Sequence, residues 1–145
     1  MNELASSWQL WAVLSAVFAA LTAIFAKVGV AEIDSDFATL IRTAVIFLVL
    51  LFLLLITKKI SSLSEVSWKT YLFLLFSGLA TGASWLCYFR ALKLGNASQV
   101  APIDKLSVVL VAVFGFMFLK EHLSMRNWLG ILLIAVGAVL TSLKK

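Results

Sequence analysis

Residues 4–26 read LASSWQLWAVLSAVFAALTAIFA, a stretch bounded by Glu3 and Lys27 that contains no charge. A hydrocarbon layer about 30 Å thick takes about 20 apolar residues to cross as a helix, and this run supplies them. Four more charge-free runs follow, Thr43–Thr57, Thr70–Phe89, Leu106–Leu119 and Asn127–Leu143. The second of these four qualifies directly, and the last lies near the lower limit. The remaining two reach spanning length only by absorbing charge at their N-terminal ends: residues 37–57 take in Arg42, and residues 98–119 take in Asp104 and Lys105. The pattern predicts an all-α integral membrane protein with transmembrane helices over residues 8–30, 37–57, 68–93, 98–119 and 126–143, in one domain covering residues 1–145. Four spans with one interfacial segment is the competing count, but no segment carries the sustained amphipathic stripe of a surface-lying helix.

The composition agrees. The chain of 145 residues is 63% hydrophobic and 13% charged, with mean hydropathy +1.07. Soluble domains are about 45–50% apolar and about 25% charged. A core in so short a chain cannot hide that much apolar surface from water, so lipid is the solvent for most of it. This argues against a soluble enzyme, a nucleic-acid-binding domain, a coiled coil and a disordered tail. The net charge of +5 and pI of about 9.6 then belong to basic residues at helix ends that face anionic headgroups. The N-terminal residues carry Glu3 and no Lys or Arg before Lys27, so a cleaved signal is not expected and the first span should stay in the protein. The single cysteine, Cys87, has no intramolecular partner, and the single histidine, His122, falls in a turn. Neither supports a disulfide framework or a metal site. No nucleophile–base pair or phosphate loop is visible, and neither a cofactor nor catalysis is expected.

Five spans put the termini on opposite sides. Side one carries Lys58, Lys59, Lys69, Lys120 and Arg126; side two carries Lys27, Arg42, Arg90, Lys93, Lys144 and Lys145, with Lys105 leaning to it. Orientation follows the excess of Lys and Arg, and here there is almost none. Either one side wins weakly, or the chain inserts both ways and pairs antiparallel.

Ionisable groups within spans are functional candidates by default. Arg42 lies about 7–8 Å past Phe37 at helical rise, so it is either an interfacial anchor that snorkels or a functional group. Asp104 lies roughly 9 Å past Ser98 on a side chain too short to snorkel. Its neighbour Lys105 should point about 100° away on a helix, which makes a cation from another helix, Arg42 first, the expected partner, with Lys105 of either copy the alternative. The competing reading wets both groups at a later helix start. Pro102 is either a simple helix start or a break that frees carbonyls to line a polar cavity. Lys27 is a further cation at the side-two boundary.

Trp8, Trp11, Trp68, Tyr71 and Trp128 form an aromatic belt at side one. Trp85 instead lies deep in the third span, where Thr81, Trp85 and Tyr88 share one face. That face would line an aromatic substrate site or simply pack. Small residues mark expected close helix contacts: Gly78 and Gly82, Ala16 and Ala20, Ala19 and Ala23, Gly130 and Gly137.

The run from Arg90 through Ala91, Leu92, Lys93, Leu94, Gly95, Asn96, Ala97 and Ser98, followed by Val100, Ala101, Pro102 and Ile103, resembles the EamA-type domain of the drug/metabolite transporter superfamily. So do residues 119–123, LKEHL, and residues 128–138, WLGILLIAVGA; Ala26-Lys27-Val28-Gly29 and Arg42 fit the pattern of the first half. The resemblance implies a five-helix repeat that normally occurs twice per chain in inverted orientation. A chain with one copy is similar to the half-size bacterial and archaeal branch, in which an antiparallel homodimer would rebuild the ten-helix unit. In plan it is also similar to the small multidrug resistance proteins, but its first span has no carboxylate before Glu32. The expectation is a subunit of a secondary transporter in the inner membrane. It would move a small metabolite or drug-like solute by alternating access, with the lipid bilayer, the solute and a second copy as partners and no nucleic acid. Lys27, Arg42 and Lys105 favour an anionic or zwitterionic solute over a cation. The rival classes are a non-transporting scaffold or accessory subunit and a lipid-handling membrane protein.

Overall fold

The computed structural model describes residues 7–58 and 66–143. Among these the protein is all-helical: α1 Trp8–Gly29, α2 Ser35–Thr57, α3 Trp68–Leu94, α4 Ala97–Asp104, α5 Ser107–Phe118 and α6 Met125–Ser142. Taking α4 and α5 as one segment, five helices are long and apolar enough to cross a membrane. Lys59, Lys144 and Lys145, which enter the charge balance, lie outside the described residues.

The helix ends follow from local chemistry. Asp34 caps α2: its Oδ1 accepts from the Asp36 amide at 2.9 Å and the Phe37 amide at 3.1 Å. Asp36 then lies in the first turn, where the helix dipole favours a negative charge. This cap starts α2 two residues before the Phe37 expected from the hydrophobic run. Lys58 closes α2 in the left-handed region, φ 50°. Ser124 caps α6, accepting from the Asn127 amide at 3.3 Å. Lys120, φ 56°, turns the chain after α5, and the Glu121 amide returns to the Gly115 carbonyl at 3.1 Å. Thr39 and Thr43 hold their hydroxyls on the carbonyls of Ser35 and Thr39, each at 2.8 Å, so these polar groups are satisfied within the apolar helix.

The fourth span is broken. Pro102 lies inside α4, and the ladder tightens after it. The Lys105 amide donates to the Ala101 and Pro102 carbonyls at 3.2 and 3.1 Å, and the Leu106 amide donates to Ile103 at 3.0 Å. Lys105 keeps its i−4 bond beside an i−3 bond and Leu106 makes an i−3 bond, so the helix tightens over this turn. Pro102 is past the first turn, so it is a discontinuity and not only a helix start.

The chain divides into two compact units. One holds Met1–Lys27 and Leu94–Lys145; the other holds Val28–Lys93. In the first, α6 packs against both α4 and α5. Small residues are buried there: Ala23 and Ala26 on α1, Ala112 and Gly115 on α5, and Ala138 on α6. In the second, the buried positions are Val30, Ser35, Ala38, Thr39, Phe89 and Leu92. The large apolar side chains mostly point outward, as lipid-solvated helices require. The small-residue positions expected to pack do so only in part. Ala16 and Ala20 are exposed, whereas Ala23 and Ala26, further along α1, are buried. A Cβ added at Gly78, Gly82, Gly130 or Gly137 would meet nothing within 4 Å. Among the described residues, those glycines therefore make no close contact with another helix of their own unit.

Candidate functional site

The second unit is an antiparallel helix pair tied at one end by charge. Arg90 on α3 donates Nε and Nη2 to the two oxygens of Asp36 on α2, at 3.0 and 2.6 Å. This is the paired, planar geometry in which guanidinium and carboxylate match best. One turn further, Lys93 Nζ donates to the Ile33 carbonyl at 2.6 Å. Both α3 cations lie near that helix's C-terminus, where the dipole favours them.

Moving along α2 from Asp36 leads to Arg42, and moving back along α3 from Arg90 leads to Trp85. The two meet. The Arg42 guanidinium carbon lies 3.9 Å from the centroid of the Trp85 ring and 5.6 Å from that of Phe89. Arg42, Trp85 and Tyr88 are half-buried and Phe89 is buried. Because α2 starts at Ser35, Arg42 is roughly 10 Å into the helix at ordinary rise, deeper than the hydrophobic run suggested. A cation in the middle of a bilayer costs about 2.5–3.5 kcal/mol on insertion scales. A guanidinium over an aromatic face recovers about 0.5–2 kcal/mol, more as water is excluded. The ring contact thus offsets part of the cost, and the remainder falls to water or to an anion.

Thr81, expected on the same face as Trp85 and Tyr88, is exposed, and its hydroxyl donates to the Ser77 carbonyl at 2.9 Å. In the first unit, Lys27 Nζ donates to the Gly95 carbonyl at 2.9 Å, which ties the end of α1 to the link before α4. Asp104 Oδ2 lies 3.3 Å from Lys105 Nζ. The expectation that these neighbours turn away from one another is corrected here. The helix ends at Asp104 and the Lys105 turn is tightened, so the 100° separation of a continuous helix does not apply. The partner that Asp104 makes is its own neighbour, beside the Pro102 break.

Sequence reasoning missed Asp36, Phe89, Arg90 and Lys93 as site elements. The signal available was topological: the start of the second span and the end of the third lie on one side, so Asp36 and Arg90 are bound to be close. Among the described residues no group of three or more His, Cys, Asp or Glu could hold a metal ion. A shallow groove on α6 lined by Ala135, Val136, Val139 and Leu140 carries no polar side chain.

Five apolar spans, with most of their charge near the ends, define a multi-pass membrane protein. Residues 6–143 match the EamA-like transporter family. The chain belongs to that family and is a membrane transporter subunit. It is 62% identical over 137 residues to a protein of a Sinorhizobium species named as an uncharacterized transporter in the cobO 3′ region, covering 94% of this chain and 97% of that one. It is 29% identical over 130 residues to an uncharacterized protein of Methanocaldococcus jannaschii, covering 90% and 92% of the two chains. It is also 30% identical over 104 residues to a protein of Hamiltonella defensa named as a probable 4-amino-4-deoxy-L-arabinose-phosphoundecaprenol flippase subunit, covering 65% of this chain and 93% of that one. No solved structure matches.

Proposed function

We propose that the chain is one subunit of a secondary transporter that moves a small metabolite or drug-like solute across the inner membrane by alternating access. The five helices form one repeat, and two copies pair antiparallel to give ten. The observation that carries this reading is Arg42 on the Trp85 ring: a guanidinium held on an aromatic face within a membrane span. Ionisable groups at that depth mark solute or ion pathways. Trp85, Tyr88 and Thr81 would line a solute path in the second unit, and Asp104, Lys105 and Lys27 are separate gate candidates within the first. The Pro102 break would supply the bend, since irregular backbone within a membrane occurs where it lines a cavity or is buried in protein.

The test is flux. Purified protein in liposomes, loaded in turn with a panel of labelled amino acids, aromatic acids and sugar phosphates, should move at least one of them saturably. Trp85→Ala should lower that flux while leaving helix content unchanged. No flux above empty liposomes for any member would turn the assignment to an accessory subunit. A lipid-handling reading has one observation behind it, the flippase-subunit name of the Hamiltonella relative. Translocation of a fluorescent polyprenyl phosphate, with no flux of the soluble panel, would select that reading.

A further inference from the structure

The carboxylates nearest the helix starts are already engaged. Asp34 caps α2. Asp36 gives both oxygens to Arg90, and Asp104 is paired with Lys105. Arg42 shares in none of this. Among the described residues it makes no hydrogen bond and no ion pair.

The guanidinium carbon lies over the Trp85 ring, 3.9 Å from its centroid. An aromatic ring stabilises a guanidinium from its face. A ring face offers no oxygen or nitrogen lone pair, so it leaves the five N–H donors without a conventional acceptor. Trp85 therefore holds Arg42 in place and leaves its donor fork available. Phe89, buried beside it, contributes a second wall. A fork held in one plane is pre-organised for a group with two acceptor oxygens. Such a group also neutralises the charge, which a water molecule does not.

We propose that Arg42 is the receptor for an oxyanion, a carboxylate or phosphate, that binds the N–H donors of the guanidinium held on Trp85. That the oxyanion belongs to the transported solute rests on the transporter reading above; the binding itself does not. The same chemistry could be delivered by a soluble solute or by an anionic lipid headgroup, and the experiment separates the two.

The full chain is placed in phosphatidylcholine nanodiscs with Trp8, Trp11, Trp68 and Trp128 replaced by Phe, so that Trp85 is the only emitter. Inorganic phosphate, benzoate and benzylammonium are titrated separately. Phosphate or benzoate should change Trp85 emission saturably, and benzylammonium should not. Arg42→Gln should weaken the anion response at least about tenfold, the scale of a lost hydrogen bond to a charged group. Arg42→Lys, which keeps the charge without the fork, should weaken it less. If the Gln variant fails to fold by circular dichroism, the Lys variant decides. In a second arm, phosphatidylglycerol replaces part of the lipid. A response to phosphatidylglycerol alone assigns the site to a headgroup, and a response to the soluble anions assigns it to a solute. The proposal is overturned by no saturable anion response in either arm, by an equal response to benzylammonium, or by a response that every folded Arg42 variant leaves unchanged. Anion binding without flux would keep the receptor and remove the transporter reading. Flux that is untouched by Arg42→Gln, with no anion response, would do the reverse.

Discussion

Asp36 and Arg90 differ from Arg42 in what surrounds them. Their side chains are 45% and 61% exposed, and the pair closes the end of the α2–α3 hairpin. An exposed pair contributes little through Coulomb attraction, and salt screens it. Its two-bond geometry matters more for which residues face each other than for total stability. A double-mutant cycle with Asp36→Ala and Arg90→Ala, read by unfolding in mixed micelles, should give a small coupling that shrinks as salt is raised. A coupling that grows with salt would refute the exposed-pair account.

Helix α4 carries a proline where a continuous helix would lose an amide and strain against the Ser98 carbonyl four residues back, at a cost of about 3 kcal/mol in a helix interior. The turn tightens just C-terminal to it, at Lys105 and Leu106. Pro102→Ala should let α4 and α5 join. The expected result is a higher melting temperature, slower hydrogen exchange at the Lys105 and Leu106 amides, and lower flux if the break is the bend of the transport cycle. Faster exchange there would mean that the turn has another cause. This break was legible because proline acts on its own backbone. So were the five spans, because hydrophobic length needs no knowledge of neighbours. The start of α2 was not, because Asp34, Ser35 and Asp36 are polar and read as a loop until the capping bond is seen. The meeting of Arg42 with Trp85 was not legible either. Each residue stood out alone, but their contact depends on the register between two helices, which periodicity within either helix leaves open. The glycines leave a related question to the partner: a small residue permits close approach without saying which helix approaches.

At the scale of the whole molecule, two features remain unspent by the single chain. The glycine face of α3 meets open space at Gly78 and Gly82, and the basic residues divide almost evenly between the two sides. The proposed antiparallel pair of copies would use both. Near-equal charge would let half the chains insert each way, and small residues would let two backbones approach where lipid offers no hydrophobic drive. Gly82→Leu has room within the chain, so it should leave the monomer folded while reducing crosslinked dimer. Reporters fused to the C-terminus, each active on one side only, should both give signal for the unaltered chain. One added cation should then fix the orientation. His122→Lys adds it to an exposed loop on side one, and Ala31→Lys adds it to an exposed loop on side two. Each variant should light a single reporter, opposite for the two. Flux should be low for either variant alone, because parallel copies cannot rebuild an inverted pair, and should return when both are expressed together. A single reporter signal for the unaltered chain, or full flux from one locked variant alone, would mean that the copies do not work as an inverted pair.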